Sequence, residues 1–306
     1  MTVTTKPQPP KFVVPGLPAP IEPAPRPRQT RSARRRMIML ITYAVLAIGC
    51  IMYMVPFFWM LSTSLKTPDQ VYQYPIKWLP NPVDWANFAD IFIEAPFLTY
   101  TLNTIFLTVF GVAGSVISSA FAAYGFARFR FRGREPLFIL MLSTMMVPIW
   151  VTVVPSYIIF SNIGWIDTYL PILVPAFFAA PFNTFLLRQF FMNIPLELDE
   201  AARLDGAGSI RILFTIILPL SKPALMIVGL FAFLQYWNDY LGPLIFLQSQ
   251  DKFPLSLGIS NFVGAQSQNF PLMMSATLFS MLPCIVLFAV AQKWFMQGVV
   301  VSGVKG

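Results

Sequence analysis

Two groups of residues have the types and spacing to do chemistry. Residues 200–219 read EAARLDGAGSIRILFTIILP, in which Glu200, Ala201 and Ala202 are followed by Gly206 and, after nine intervening residues, by Ile216, Leu218 and Pro219. A helix-prone segment that opens polar and turns apolar suits a surface at a membrane edge that another protein can grip. Residues 235–240, QYWNDY, gather two amides, a carboxylate and three aromatic rings. In a continuous helix Gln235, Asn238 and Asp239 share one face by i, i+3, i+4 spacing. With Trp237 beside them, they could hydrogen-bond a hydroxyl-rich solute and cover its C–H faces. The same residues also suit an outer membrane boundary, where Trp and Tyr favour headgroups. Asn183 or Thr184 could also face a solute path, and helix phase does not choose between them.

Other chemistries are excluded. The chain has no histidine, so imidazole acid–base catalysis, histidine metal sites and imidazole proton relays are out of reach. No glycine directly precedes a lysine, so no P-loop can cradle nucleotide phosphates here. Cys50 and Cys284 fall inside apolar stretches and offer neither a disulfide framework nor a metal spacing. No Asp or Glu lies in the central part of any such stretch, and ion-coupled carriers commonly rely on buried carboxylates there. No catalytic residue, metal site or cofactor is therefore expected on this chain, and any ATP and magnesium would be bound by a separate polypeptide.

The elements that must position these residues are membrane helices. Of 306 residues 56% are hydrophobic and only 11% charged, against about 25% charged in soluble domains. Six apolar stretches, near 37–61, 100–127, 136–160, 169–191, 213–236 and 274–297, meet the length of about 20 residues needed to span a bilayer. The predicted fold is an all-α membrane protein with six transmembrane helices. The fifth span is the least regular, since Lys222 and Pro223 stand near its start. The first span is too long for a secretory h-region, follows Arg36 directly and lacks a small-residue cleavage site.

Charge sets the orientation. Eighteen of the 21 Lys and Arg fall on one side of a six-span topology, and Lys66, Lys77 and Lys252 on the other. The positive-inside rule places both termini in the cytoplasm. The net charge of +8 thus orients the chain among membrane lipids and gives no reason to expect nucleic acid. Residues 1–36 form a Pro/Arg-rich cytoplasmic tail, predicted to be disordered, and residues 37–306 form the membrane domain.

Prolines 148 and 155 in the third span, and 171, 175 and 181 in the fourth, predict kinks. Trp78, Trp85, Phe88, Phe92 and Phe97 in the 62–99 connection belong at the interface or against the outer face. The 239–273 connection reads as a long, fairly polar loop. Residues 193–212 read as two short helices around a sharp turn: Pro195 in a first turn, Glu197, Asp199 and Glu200 near the positive dipole end, Gly206 and Gly208 for the reversal, and Ser209 as the next cap. Ala201 and Ala202 keep the stretch slim. An amphipathic helix lying on headgroups is the alternative, and spacing leaves the two equal.

The 200–219 pattern resembles the EAA signature of ATP-binding-cassette importer permeases. FLLRQFF (185–191), NIPLELDEAARLDGAG (193–208), ILPLSKPAL (217–225), WNDYLGPL (237–244) and the ending GVKG are similar to the carbohydrate-uptake branch, in particular to the smaller maltose permease subunit. The likeness covers residues 37–306 and leaves the proline-rich tail out. It implies a type I importer permease fold whose 193–212 loop is a coupling helix seated in a cleft of a cytoplasmic ATPase. Glu200, Ala201, Ala202 and Gly206 carry over, with Arg203 and Asp205 in the same segment; in the related sugar permeases the glutamate is taken to contact the ATPase. Val304, Lys305 and Gly306 would approach the same partner.

The resemblance further implies a second permease subunit, two ATP-binding subunits and an external solute-binding protein that touches the 239–273 segment. The implied solute is a sugar or sugar derivative. In the maltose relatives the better-defined sugar site lies in the other permease subunit, so few direct contacts are expected here. A permease of the same family for glycerol phosphate, a polyol or another non-sugar solute is the alternative reading. A passive channel or membrane scaffold is the alternative of a different class.

Overall fold

The computed structural model describes residues 33–265 and 269–302; residues 1–32 of the proline-rich tail and residues 303–306, with the expected contact at Val304, Lys305 and Gly306, lie outside the described residues, whereas 33–36, expected in the disordered tail, open the first helix. Among the described residues there is no strand. Four helical stretches are long and apolar enough to cross a membrane, and six if each of two bent pairs is one span. The six expected spans are compatible with this count, each bent pair then making one broken span.

The chain runs through α1 (Ala33–Ser64), the short α2 (Pro68–Val71), α3 (Asn87–Glu94) and the central α4 (Phe97–Arg128). It continues through α5 (Arg134–Ser143), α6 (Ile149–Asn162), α7 (Leu170–Leu173) and α8 (Pro181–Met192). Then follow α9 (Leu196–Leu204), α10 (Ser209–Ile212), α11 (Leu218–Leu220) and α12 (Lys222–Trp237). The last three helices are α13 (Leu241–Phe246), α14 (Leu255–Ala265) and α15 (Phe270–Ser302). Among the described residues, those up to Val55 form one compact unit and those from Pro56 another; everything below belongs to the second.

Helix α4 is the ruler of the fold. Its 32 residues reach about 48 Å, well beyond a hydrocarbon core of about 30 Å, so its two ends stand on opposite sides. Its buried face runs Thr108, Gly111, Gly114, Ser115, Ser119, Ala120 and Ala123. In lipid there is little hydrophobic drive between helices, and such a small-residue stripe allows close backbone packing instead. The Tyr236 ring lies so close to Gly111 that a Cβ there would stand 2.6 Å from it, and Phe177 crowds Gly114 at 2.9 Å. Helix α8 packs along the same stripe, and Leu187, Phe191, Ile212, Leu213, Ile217 and Val228 join Ala120, Ala123 and Tyr124 in one core.

Proline decides where spans break, by position rather than number. Pro148 separates α5 from α6 with a bend of 99°; Val147 before it is extended, as the residue preceding proline prefers. Pro155, expected to kink the same span, sits inside α6 without breaking it. Pro171, Pro175 and Pro181 each occupy the first turn of a short helical piece, where a missing N–H costs least. The 213–236 stretch, read as one span, is bent by 84° at Ser221. Pro219 cannot donate to the carbonyl one turn back, and the residues just before it, Leu213–Ile217, form a π turn. Pro223 then falls in the first turn of α12.

At the Phe97 end of α4 the chain builds a folded cap. The 239–273 segment is not the open polar loop expected, because it hides enough apolar surface to fold. Phe246, Leu247, Leu255, Leu257 and Phe262 are buried, and α13, a 3₁₀ turn at Gln250–Lys252 and α14 fill most of the segment. Thr104 accepts the Leu255 N–H at 2.7 Å, and Asn103 donates to the carbonyls of Asp251 and Phe253. Asp167 clamps this cap. Its backbone is left-handed, with φ 58°, and its carboxylate accepts N–H groups of Gln248 and Ser249 at 2.9 Å and the Lys252 ammonium at 2.8 Å. The ammonium, the Ser249 hydroxyl and these N–H groups hold the carboxyl well below the usual carboxylate range.

The aromatic residues of the 62–99 connection divide. Phe97 is fully buried with Ile91, Tyr100 and Trp237, and Phe92 meets it edge-on. Trp78 and Trp85 remain more than half exposed.

Candidate functional site

At the other end of α4 stands the 193–212 segment, and it is two-faced. Pro195 is the residue before α9 rather than part of its first turn. Nine residues of helix end at Leu204, and Gly206 takes φ +80°. The Gly206 N–H donates to the Arg203 carbonyl at 3.0 Å and the Ala207 N–H to the Ala202 carbonyl at 2.9 Å. These two bonds are the Schellman reversal, in which a residue lacking Cβ takes the left-handed position. The sequence reading of a glycine turn thus holds at Gly206. It does not hold for Ser209 as a cap: α10 starts after Gly208 without a side-chain cap, and the Ser209 carbonyl instead accepts the Tyr124 hydroxyl at 3.1 Å.

The inner face of the loop is anchored. Ile194 is buried in the α4/α8 core, and Ala202 and Ala207 pack against it. Asp199 is also buried, and its carboxylate lies 3.1 Å from Arg128 Nε, both side chains at most 4% exposed. The contact is one of charge rather than an aligned hydrogen bond, since neither Asp199 oxygen nor Arg128 Nε has a hydrogen-bond partner. The Arg128 Nη2 group donates to the Ile194 carbonyl at 2.9 Å. The last residue of α4 therefore holds the start of the loop twice. Local sequence suggests only charge near a helix dipole for Asp199; its buried partner 71 positions upstream leaves no mark there.

The outer face carries Glu200, Ala201, Arg203, Leu204, Asp205, Gly206 and Ile210, all exposed. Leu204, at 90% exposure, is an apolar tip framed by Arg203 and Asp205. The two alanines, read together as one slim stretch, do different work: Ala201 leaves room outside, while Ala202 faces the core. A second ion cluster braces the neighbourhood. Arg188, 8% exposed in its side chain, reaches Glu135 at 3.0 Å and stacks at 4.0 Å over the Phe138 ring.

The solute-path candidates lie apart. Asn183 is buried and donates to the Ser115 hydroxyl at 2.9 Å, joining α8 to α4, and Thr184 beside it is fully buried. Trp237 is buried, stacks on Phe233 and donates Nε1–H to the Ser280 carbonyl at 3.0 Å. Helix α12 ends at Trp237, so the expected common face of Gln235, Asn238 and Asp239 does not form. Gln235 is exposed, Asn238 donates back to the Leu234 carbonyl, and Asp239 accepts the Gly242 N–H. Burial pushes the Asp239 carboxyl up, with the Gly242 bond opposing.

The chain matches the family described as binding-protein-dependent transport system inner membrane component over residues 114–301. It is 33% identical to the melibiose/raffinose/stachyose import permease protein MelC of Bacillus subtilis, over 90% of this chain and all of that one. It is 31% identical to the arabinooligosaccharides transport system permease protein AraQ of the same organism, over 84% of this chain and 92% of that one. It is also 31% identical to the sn-glycerol-3-phosphate transport system permease protein UgpE of Yersinia pestis, over 88% and 98% of the two chains. Among solved structures it resembles a chain of a bacterial ABC transporter involved in import of the acidic polysaccharide alginate, with TM-score 0.78, 28% identity and coverage of 86% and 98%. With the family model matched over most of the chain and a relative 33% identical along its whole length, the chain belongs to the family of binding-protein-dependent transport system inner-membrane components.

Proposed function

We propose that this chain is the permease subunit of an ATP-driven importer for a sugar or sugar derivative, and that Glu200, Ala201, Arg203, Leu204, Asp205 and Gly206 with Ile210 seat in a separate ATPase, with Ala202 backing them against the core. The observation that carries the coupling role is the exposed surface of Glu200, Ala201, Arg203, Leu204 and Asp205 on a helix locked to α4 by the buried Arg128–Asp199 pair. A force on the outer face passes through that anchor into a long span rather than bending a loop.

A second permease subunit and two ATP-binding subunits complete the assembly, with ATP and magnesium held on those ATPases. Both termini lie in the cytoplasm. An external solute-binding protein meets the cap around 239–265, and Gln235, Trp237, Asn238, Asp239 and Asn183 stand near the path. Similarity to MelC and AraQ favours an oligosaccharide; similarity to UgpE supports glycerol phosphate as the second reading.

The test is to pull down the detergent-extracted complex through this chain and assay ATP hydrolysis with solute-loaded binding proteins. The expected result is an associated ATPase stimulated by one loaded binding protein, which names the solute. A stable pulldown without ATPase would point to a channel or scaffold.

A further inference from the structure

Between α4 and α5 the chain reads RFRFRGRE, four arginines and one glutamate in residues 128–135. Their charges are not spent alike. Arg128 is buried against Asp199. Arg134 lies 2.8 Å from Glu135, which Arg188 also engages. One carboxylate thus serves two guanidinium groups, and among the described residues no acid pairs with Arg130 or Arg132. Both are exposed. Phe129 and Phe131, interleaved with them, pack against Tyr124 and Phe126 of α4 at 5.5 and 6.2 Å yet stay 40% and 44% exposed. An open groove of about 360 Å³ is lined by Arg130, Phe131, Gly133, Arg134, Glu135 and Pro136.

Position in the bilayer selects the partner. The segment joins the ends of two apolar helices, and Leu137, Ile139 and Leu140 of α5 are at least half exposed, so hydrocarbon begins within a turn of Arg134. Unpaired guanidinium groups beside half-exposed phenylalanines therefore stand at headgroup level, where aromatic rings settle and basic pockets between spans hold anionic headgroups. Guanidinium also matches phosphate oxygens in paired, planar geometry. We propose that Arg130 and Arg132, with the groove beside Gly133, bind the phosphate of an anionic phospholipid.

The test uses the full chain, purified with its partners from nanodiscs of phosphatidylcholine with phosphatidylglycerol, and counts retained lipid by mass spectrometry. Phosphatidylglycerol should be retained above its bulk share. Each arginine at such a surface strengthens binding about fivefold, so R130A/R132A should lower retention about 25-fold and Arg132→Ala alone about fivefold, while R130K/R132K keeps most of it. The single variant decides the matter if the double variant does not purify. Added inorganic phosphate should not displace the lipid. Unchanged retention in the alanine variants would overturn the proposal. So would displacement by free phosphate, marking a soluble-anion site, or unchanged retention with loss of the ATPase, marking a protein contact.

Discussion

A chain carrying Gly206→Pro is expected to insert normally and to transport nothing. Gly206 sits at φ +80°, whereas a proline ring holds φ near −65° and lacks the N–H that here bonds the Arg203 carbonyl. Proline also disfavours a helical or bridge conformation in the residue before it, and Asp205 stands at φ −77°, ψ 7°. Three requirements of one turn fail together, at a cost of about 3 kcal/mol or more. The spans themselves are untouched. Gly206→Ala keeps the N–H and meets no neighbouring atom within 4 Å, so it bears only the left-handed strain of about 1–2 kcal/mol and should keep partial uptake. Solute uptake against membrane abundance reads both, and full uptake by a well-expressed proline variant would contradict the docking turn.

The second large effect belongs to a residue far from the EAA segment. Arg128→Ala leaves the Asp199 carboxylate buried without its charge partner, which costs about 3–5 kcal/mol. That is enough to shift the equilibrium between anchored and released α9 by two orders of magnitude or more. Glu200→Ala, on the exposed face, should remove only its partner contact and weaken transport mildly. The two classes separate in a cycle: Arg128→Ala with Asp199→Ala should recover part of the loss, because no buried charge remains. Uptake per ATP hydrolysed, measured at matched abundance, is the readout. Equal losses in the single and double variants would mean that the pair does not anchor the loop.

Composition and the lengths of the apolar stretches make the membrane class and the approximate span count legible, because apolar length is a local quantity. The EAA spacing exposed the turn at Gly206, since a left-handed residue announces itself as glycine. Long-range pairing left no such trace. Nothing near Asp199 points to Arg128, and nothing in WND shows that α12 stops at Trp237 and gives the indole to Ser280. Proline was misread where position mattered more than presence: Pro148 breaks a span and Pro155 does not. The 239–273 segment looked polar because its buried leucines and phenylalanines are spaced between turns, and only tertiary contacts with α4 show which are inside.

In the proposed assembly the outer face of the 193–212 segment touches an ATPase while its inner face does not. With Cys50→Ser and Cys284→Ser as background, Ala201→Cys and Ala207→Cys can be compared by short-range thiol cross-linking in the intact complex. Ala201 is exposed and Ala207 packs against the α4/α8 core. Ala201→Cys should cross-link to the ATP-hydrolysing subunit, and Ala207→Cys should stay largely unlinked. A complex that co-purifies with its ATPase but cross-links at neither position, or equally at both, would contradict that arrangement.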